Sequence, residues 1–173
     1  MTRNRWKLGL LLGLLLSSPP VHGQTRSAGD FIADPGTGCK IWDPHPLAGE
    51  TASWSGDCVQ GTAHGAGTVL WLRDSRPFEK DEGRWDQGRQ SGRGTQDWRS
   101  GRYEGELVAG EPSGQGVMML QTSRYEGEFR NGKPNGQGTV TNLEGVFRGN
   151  WKEGCLVDKG RRIAFGVSSS SCR

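Results

Sequence analysis

The chain has 173 residues, of which 32% are apolar and 29 are glycine. This length is enough for one domain, but the apolar residues are too few for a single thick core. Three of the 22 Lys and Arg residues lie in the first seven positions, and the remaining 19 equal the 19 Asp and Glu residues. A chain that is neutral beyond its first segment is a poor candidate for binding nucleic acid, which requires the neutralisation of many phosphates.

Residues 1–23 have the pattern of a signal peptide. The basic start is followed by a run of Leu and Gly at 8–16, a Ser-Pro segment and a small-residue site before Gln24. This order is typical of an export signal that is removed. An uncleaved membrane anchor is the weaker alternative, because a membrane span needs ~20 apolar residues. We therefore expect an exported protein that is periplasmic or secreted.

Four cysteines lie in two local pairs that flank the middle of the chain. The pairs are Cys39 with Cys58 and Cys155 with Cys172. An even number of cysteines in an exported chain predicts disulfides. The residues alone leave three connectivities open, and the short separations favour the two local bridges. Each bridge would stabilise the fold by roughly 3 kcal/mol.

His45 and His64 raise the alternative of a metal site. Each follows a cysteine by six residues, and two Cys with two His could form a tetrahedral zinc site. The spacing is wider than ligand spacings within one element, and export favours disulfides. No carboxylate pair, activated nucleophile or phosphate-binding loop stands out in the sequence. We therefore expect no enzyme, no cofactor and no metal.

Glycine recurs on a fixed grid between residues 54 and 160. Counted from a starting residue i, glycine stands at i+2, i+7, i+11 and i+13, and only Asp158 departs from this rule. The starts are Trp54, Asp81, Tyr103, Tyr125 and Phe147. The structural glycines of the repeat are Gly56, Gly61, Gly65, Gly67, Gly83, Gly88, Gly92, Gly94, Gly105, Gly110, Gly114, Gly116, Gly127, Gly132, Gly136, Gly138, Gly149, Gly154 and Gly160. A fixed period of this size predicts an array of small units that complete one another's cores.

Each unit is predicted to be one β-hairpin. In the unit that begins at Tyr125, aromatic residues alternate with charged ones, which is typical of a strand with one buried and one solvated face. Glycine at i+2 leaves space into which a neighbouring ring can pack. Asn131-Gly132 is typical of a turn, 133–136 would continue as a loop, and 139–141 would form the return strand. Successive hairpins are expected to pair into an elongated twisted sheet.

The grid Tyr-x-Gly-x-Phe/Trp-x-x-Gly-x-x-x-Gly-x-Gly resembles the MORN repeat. Residues 103–107 and 125–129 match it well, and the Gly-Cys-Lys-x-Trp segment at 38–42 is similar to small exported bacterial members of the family. We predict an all-β, single-file array of about five MORN hairpins with disulfide-stapled ends. The expected divisions are a signal peptide at 1–23, an N-terminal cap at 24–53, the repeat array at 54–160 and a C-terminal cap or tail at 161–173.

The predicted role is binding rather than catalysis. We expect a non-enzymatic binding or scaffolding module of the cell envelope or exterior that acts on a protein partner or through self-association. The alternative is a module that binds membrane lipid or an envelope component, which the family name (membrane occupation and recognition nexus) implies. Rings on the grid are expected to form the core. The candidate binding surface comprises Trp71 and Trp98, which we expect to be exposed, and the basic residues Lys159, Arg161 and Arg162.

Overall fold

A computed structural model describes residues 29–172 of the chain. The predicted signal peptide, residues 1–23, lies outside the described residues. The described part is almost entirely β. Its strands are β1 (Asp30–Ala33), β2 (Lys40–Asp43), β3 (Glu50–Trp54), β4 (Asp57–Val59), β5 (Thr62–Arg73), β6 (Arg76–Asp86), β7 (Arg89–Trp98), β8 (Gly101–Val108), β9 (Glu111–Leu120), β10 (Ser123–Arg130), β11 (Lys133–Asn142), β12 (Gly145–Trp151), β13 (Cys155–Asp158) and β14 (Arg161–Ala164), followed by a single 3-10 turn at Ser169–Ser171. No helix within 29–172 is long and apolar enough to cross a membrane.

Twelve strands form one long sheet. From β5 to β12, each strand pairs antiparallel with the next one in the chain. At the N-terminal end, β3 and β4 pair with two different segments of β5, and β1–β2 form a hairpin that joins the sheet through β5. At the other end, β13 and β14 form a separate hairpin. The predicted single-file array of hairpins in an elongated, twisted sheet is confirmed.

The hairpin of β10 and β11 shows how the repeat closes its turn. Asn131 and Gly132 form the turn with φ values of 48° and 74°, a conformation that favours Asn-Gly. β11 begins directly after this turn, so the predicted loop over 133–136 is wrong. Pro and Gly in that segment indicate a loop from sequence, but the two-residue turn already reverses the chain. A β-bulge after Gly127 absorbs the irregular register.

The glycines at i+2 and i+13 lie under one aromatic ring. Gly127 pairs with Gly138 across the hairpin, and the Tyr125 ring covers both of them. A Cβ built on Gly127 would be only 2.8 Å from the Tyr125 hydroxyl oxygen. That hydroxyl donates a 2.9 Å hydrogen bond to the backbone carbonyl of Glu128 at the bulge. The neighbouring ring that uses this space is the one at position i of the same repeat.

Rings of successive repeats pack edge to face along the core. The ring at i in one repeat contacts the ring at i+4 in the next, with ring centroids 4.8 to 5.4 Å apart and interplanar angles of 64° to 82°. These pairs are Trp54 with Trp85, Tyr103 with Phe129, and Tyr125 with Trp151. All six rings are buried, so the grid rings form the core as predicted.

A backbone hydrogen bond also joins each hairpin turn to the preceding one. The N–H of the glycine at i+7 donates to the carbonyl at i+9 of the preceding repeat, over 2.8 to 3.0 Å. The bonds are Gly88 to Ala63, Gly110 to Gln90, Gly132 to Pro112, and Gly154 to Pro134. Because the bond recurs at every junction from the first start to the last, the array stays regular through the repeat that begins at Asp81.

Disulfides close both ends of the sheet. The bonded pairs are Cys39 with Cys58 and Cys155 with Cys172, which confirms the local connectivity. The zinc alternative is wrong, because its two cysteines are bonded to each other. Its two histidines lie beside carboxylates instead: His45 Nε2 is 3.5 Å from Glu111 Oε1, and His64 Nδ1 is 3.6 Å from Asp86 Oδ1.

Candidate functional site

A row of side chains crosses the buried face of the sheet, with one residue from each strand. In order of pairing, the row is Trp54, Val69, Asp81, Gln96, Tyr103, Met118, Tyr125, Val140 and Phe147. Asp81 and Gln96 are polar members of an otherwise aromatic and apolar row. Asp81 occupies the starting position at which the other four repeats carry a ring. Since a carboxylate is much smaller than a ring, the second repeat lacks the side chain that fills this space elsewhere.

A cavity of about 330 Å³ lies beside Asp81. This volume is within the range of small-ligand sites. Four tryptophans line the cavity: Trp42, Trp71, Trp85 and Trp98. Five carboxylate side chains also line it: Asp43, Glu50, Glu79, Asp81 and Glu111. No Lys or Arg is present among the lining residues that the structure describes. The second repeat therefore encloses an aromatic and acidic pocket, which we call the Asp81 pocket.

The segment that joins β2 to β3 forms one wall of the Asp81 pocket. Pro44 lies against Gly110, where an added Cβ would be 3.2 Å from the Pro44 Cδ. The neighbouring His45 reaches Glu111 at the start of β9. Glu50, at the start of β3, accepts a 3.1 Å hydrogen bond from the Leu47 N–H. The segment between β2 and β3 therefore reaches over the buried face of the second repeat.

Two buried carboxylate oxygens in the pocket accept no hydrogen bond from residues 29–172 while the neighbouring carboxyls are ionised. The Trp71 indole Nε1 donates a 2.7 Å hydrogen bond to Asp81 Oδ2, whereas Oδ1 of the same carboxylate has no partner. Glu50 Oε1 is also unpaired. The side chains of Asp81 and Glu50 are only 5% and 9% exposed. Unpaired oxygens at such depth destabilise a fold, so most native structures satisfy them.

Three carboxyl groups of the pocket resist ionisation. Burial raises the pKa of Glu79 to about 8, and the negative charges of Asp81 and Asp43 add to the effect. Burial raises the pKa of Asp81 to about 7, although the hydrogen bond from Trp71 opposes the shift. Burial and a hydrogen bond with Asp43 raise the pKa of Glu50 to about 8. The pocket therefore retains protons at neutral pH, because its carboxylates repel one another in a poorly solvated space.

Two glutamines replace part of the missing ring. The Gln96 amide Nε2 donates to Gln90 Oε1 at 3.2 Å and to the Gly110 carbonyl at 2.9 Å. Gln90 Nε2 in turn donates to the carbonyl of Glu82 at 3.2 Å. At Trp54, Tyr103 and Tyr125, the ring's indole N–H or hydroxyl donates to the carbonyl at i+3, as Tyr103 does to Glu106 at 2.7 Å. In the second repeat, the glutamine amides supply the polar contacts near the missing ring, and the cavity stays open beside them.

Three consecutive hairpins match a known family. A family model of the MORN repeat matches residues 82–101, 103–121 and 125–141. The chain contains three consecutive MORN repeats, at residues 82–141. No curated protein matches the chain. MORN repeats are generally involved in binding or scaffolding, including contacts with membrane lipids, and the family is typically non-catalytic.

The structure brings both candidate tryptophans to the Asp81 pocket. Trp71 is only 4% exposed, so the prediction that it is exposed is wrong; its indole N–H is bound by Asp81. Trp98 is half-buried and pairs across strands with Glu79. The acidic residues of the pocket were missed from the sequence. The available signal was Asp81 itself, the only one of the five MORN starts that lacks a ring.

The predicted basic residues lie away from the pocket, on and before β14. Lys159, Arg161 and Arg162 are all exposed there. Arg161 forms a 3.3 Å ion pair with Glu144, and its guanidinium carbon lies 4.8 Å from the centre of the Phe147 ring. None of the three lines the Asp81 pocket. Arg161 is thus engaged by Glu144 and Phe147, whereas no ion pair with Lys159 or Arg162 is present among residues 29–172.

The opposite face of the MORN sheet is polar, and its charges pair locally. The row through this face is Thr68, Glu82, Thr95, Glu104, Val117, Glu126, Thr139 and Arg148. Glu126 pairs with Arg124 at 2.7 Å, and Glu82 pairs with Lys80. Exposed pairs of this kind contribute at most about 1 kcal/mol each. This face matches the predicted solvated surface; its one buried unpaired group among residues 29–172 is the Thr95 hydroxyl, whereas the Asp81 pocket holds two unpaired carboxylate oxygens.

No metal centre is evident in the described range. Within residues 29–172, no group of three or more His, Cys, Asp and Glu side chains is placed to hold a metal ion. The carboxyl groups of the pocket lie close to one another in pairs, Glu79 with Asp81 and Glu50 with Asp43. The pocket chemistry that the structure offers is hydrogen-bond acceptance, negative charge and aromatic faces.

Proposed function

We propose that this MORN-repeat protein is a non-enzymatic binding or scaffolding module of the cell envelope or exterior that acts on a protein partner or a second copy of itself. The observation that carries the proposal is the Asp81 pocket. A module selected for stability alone would carry a ring at residue 81, as at the other four starts. The acidic, partly unsatisfied pocket destabilises the array, and such departures from local rules are expected where a protein binds something.

The proposed location outside the cytoplasm rests on the disulfides and the N-terminal segment. Two disulfides indicate an oxidising environment, because such bonds are rare where thiols are kept reduced. The basic and apolar pattern of residues 1–23 supports export, and the bacterial assignment rests on the resemblance of residues 38–42. Periplasmic and secreted locations are both compatible with these features.

Site-specific photo-crosslinking in the producing cells tests the proposal. A photoreactive residue at Leu47, which is 44% exposed and lines the pocket, should capture a defined protein partner or a second copy. The matched control places the same residue at Met119, which is 39% exposed on the opposite face. Capture from Leu47 but not from Met119 supports the proposal. Identical products from both positions, or none from either, would contradict it.

A lipid-binding role is the second candidate, and the C-terminal hairpin favours it. Val157 is 66% exposed on β13, opposite the exposed Arg162 on β14. Leu143 is 90% exposed next to Glu144, the ion-pair partner of Arg161. Apolar side chains beside basic ones suit an anionic membrane surface, to which each basic residue contributes about 1 kcal/mol.

Vesicle sedimentation separates the two functions. Anionic phosphatidylglycerol vesicles should carry the protein down at low salt and release it at high salt if the lipid role is correct. Charge reversal at Lys159 and Arg162 should then abolish sedimentation, whereas reversal at Arg148 on the opposite face should not. Absence of sedimentation at low salt would leave the protein-binding function as the sole candidate.

A further inference from the structure

We propose that the Asp81 pocket binds one organic cation, an ammonium or guanidinium group carried on a short apolar stem. The inference rests on the proposed binding function and deepens it by naming the chemistry of the bound group. The cation can belong to a free small molecule or to a Lys or Arg side chain of a protein. The two sources share the same recognition chemistry, and the experiment below separates them.

The polar atoms of the pocket call for a hydrogen-bond donor. Asp81 Oδ1 and Glu50 Oε1 are buried and line the same cavity, and while the pocket is ionised they accept no hydrogen bond from residues 29–172. In the protonated pocket the neighbouring carboxyls are the partners, Glu79 for Asp81 and Asp43 for Glu50. A guanidinium group carries five N–H donors and an ammonium group carries three, and neither offers an acceptor. A donor-only group therefore satisfies both oxygens without adding an acceptor that would itself need a partner.

The charge of the pocket calls for a cation. Five carboxylate side chains line it, and the lining residues in the described range include no Lys or Arg. A neutral ligand would leave the carboxylates either repelling one another or protonated. A buried positive group between Glu79 and Asp81 would instead stabilise their ionised forms, since an opposite charge within hydrogen-bond distance outweighs much of the burial penalty.

The walls of the pocket suit the apolar stem and the planar head of such a cation. Trp71, Trp85 and Trp98 offer aromatic surface, and a cation within ~6 Å of an indole face is attracted by its quadrupole. Trp42 already shows this interaction, because the Arg89 guanidinium carbon lies 3.7 Å from its ring centre. A volume of about 330 Å³ accommodates one side chain of the size of arginine.

Binding should exchange a proton for the cation. The groups that face Glu79 and Asp81 are acidic on almost every side: Asp43 and Glu50 from the cap, Asp97 from β7, and Glu111 with His45 at the rim. Entry of a positive group lets the carboxyls ionise, so the protons they retained are released to solvent. Affinity should therefore rise as the pH rises through the range in which these carboxyls titrate.

Calorimetric titration of the purified, disulfide-bonded protein with three matched probes tests the proposal. The probes are n-butylguanidinium, n-butylammonium and the neutral isostere n-butylurea. We expect the two cations to bind saturably near pH 8.5, about tenfold more weakly near pH 6, with proton release in buffers of different ionisation enthalpy. Butylurea should bind about tenfold more weakly than butylguanidinium or not at all.

Conservative variants locate the site. Asp81→Asn keeps an acceptor for the Trp71 indole and removes the charge, and Glu79→Gln removes the neighbouring charge. Each should weaken butylguanidinium about tenfold or more while near-ultraviolet circular dichroism confirms the native fold. Glu104→Gln is the matched control, because Glu104 is an exposed carboxylate on the opposite face. It should leave the affinity unchanged.

The outcomes decide both the inference and the source of the cation. A glycine-rich peptide with one central arginine that binds more tightly than butylguanidinium assigns the cation to a protein; equal or weaker binding assigns it to a small molecule. Equal binding of butylurea, or no saturable binding of either cation up to about 10 mM, overturns the inference. If neither cation binds while the photoreactive residue at Leu47 still captures a partner, the cation inference is contradicted and the proposed function is not. If the cations bind while Leu47 captures nothing, the protein-partner function falls instead.

Discussion

The Trp71 indole and the Asp81 carboxylate are joined by a 2.7 Å hydrogen bond on the buried face of the second MORN repeat. Asp81 stands where other repeats place a ring, and Trp71 stands one strand away, outside the glycine grid. The bond uses one carboxylate oxygen and leaves the other unpaired in the cavity. A single departure from the repeat thus removes a core ring, buries an acid and creates the pocket.

Restoring the ring should close the pocket. In Asp81→Tyr, the new ring would displace the Gln90 amide and lie over Gly83 and Gly94, as Tyr103 lies over Gly105 and Gly116. Filling the cavity and removing a buried acid should raise the free energy of unfolding at pH 8 by about 1 kcal/mol. Denaturant unfolding measures this gain, and butylguanidinium binding should be lost. A destabilised variant that still binds the cation would contradict the assignment of Asp81 to the missing-ring position.

The stability of the protein should fall as the pH rises from about 5 to about 8.5. The folded state raises the pKa of Glu79 from 4.5 to about 8, so it holds a proton that the unfolded chain releases. This contribution to stability is complete below the unfolded pKa and is lost as the pH passes through the folded pKa. Over this pH range the shift of Glu79 alone corresponds to roughly 4 kcal/mol, and the raised pKa of Asp81 acts in the same sense.

Thermal melting across this pH range gives the measurement. Glu79→Gln should flatten the profile, whereas Glu104→Gln should keep the wild-type slope. The range begins above the titration of Asp34, whose pKa is lowered chiefly by the hydrogen bond from the Trp54 backbone and which therefore stabilises the fold in the opposite sense. Parallel profiles for wild type and Glu79→Gln would count against buried protonated acids in the pocket.

A side chain at Gly127 should damage the array. Valine there would collide with the backbone of Gln137 and Gly138 and with the Tyr125 hydroxyl, and the residue has φ of 153°, which disfavours a β-branched side chain. We expect Gly127→Val to lower the free energy of unfolding by about 3 kcal/mol and the melting temperature by roughly 10 °C. Ser169→Val, at an exposed position of the 3-10 turn, should melt like wild type. Equal melting temperatures for the two variants would refute the packing of rings over glycines.

The C-terminal disulfide should stabilise the last hairpin. Cys155–Cys172 holds the chain end against β13, and the Leu156 and Ile163 side chains of this hairpin enter the core. Replacing both cysteines with serine should lower the free energy of unfolding by about 3 kcal/mol. Hydrogen exchange should show the loss of protection concentrated in 155–165, while 103–118 stays protected. An unchanged unfolding curve would mean that the bridge has no capping role.

The hairpins, their order and their core could be predicted because the same pattern of rings and glycines recurs in successive repeats. Glycine opposite glycine under a ring, and a turn with positive φ, are local requirements that each copy shows in its residues. The path of 133–136 could not be read in the same way. Pro134 and Gly136 are loop residues in isolation, and their place in a strand depends on pairing with β10.

The pocket could be predicted only in part. The missing ring at Asp81 was visible, but its consequence depends on contacts between residues far apart in the chain. Glu50 and Asp43 reach the second repeat only because the cap folds back over the sheet. Trp71 looked dispensable because the grid does not require it, yet the fold turns it inward toward Asp81. Cross-strand register and cap placement decide these contacts, and neither is encoded in a local pattern.

The indole N–H resonance of Trp71 in a nuclear magnetic resonance titration tests the central claim most directly, because this N–H donates its hydrogen bond to the Asp81 carboxylate inside the pocket. On addition of butylguanidinium near pH 8.5, it should shift saturably, with the same dissociation constant as calorimetry. The Trp151 indole, which donates to the Gly138 carbonyl at 3.1 Å in the other core cluster, should stay in place. A Trp71 signal that does not move, or one that moves no more than that of Trp151, would contradict a cation site at Asp81.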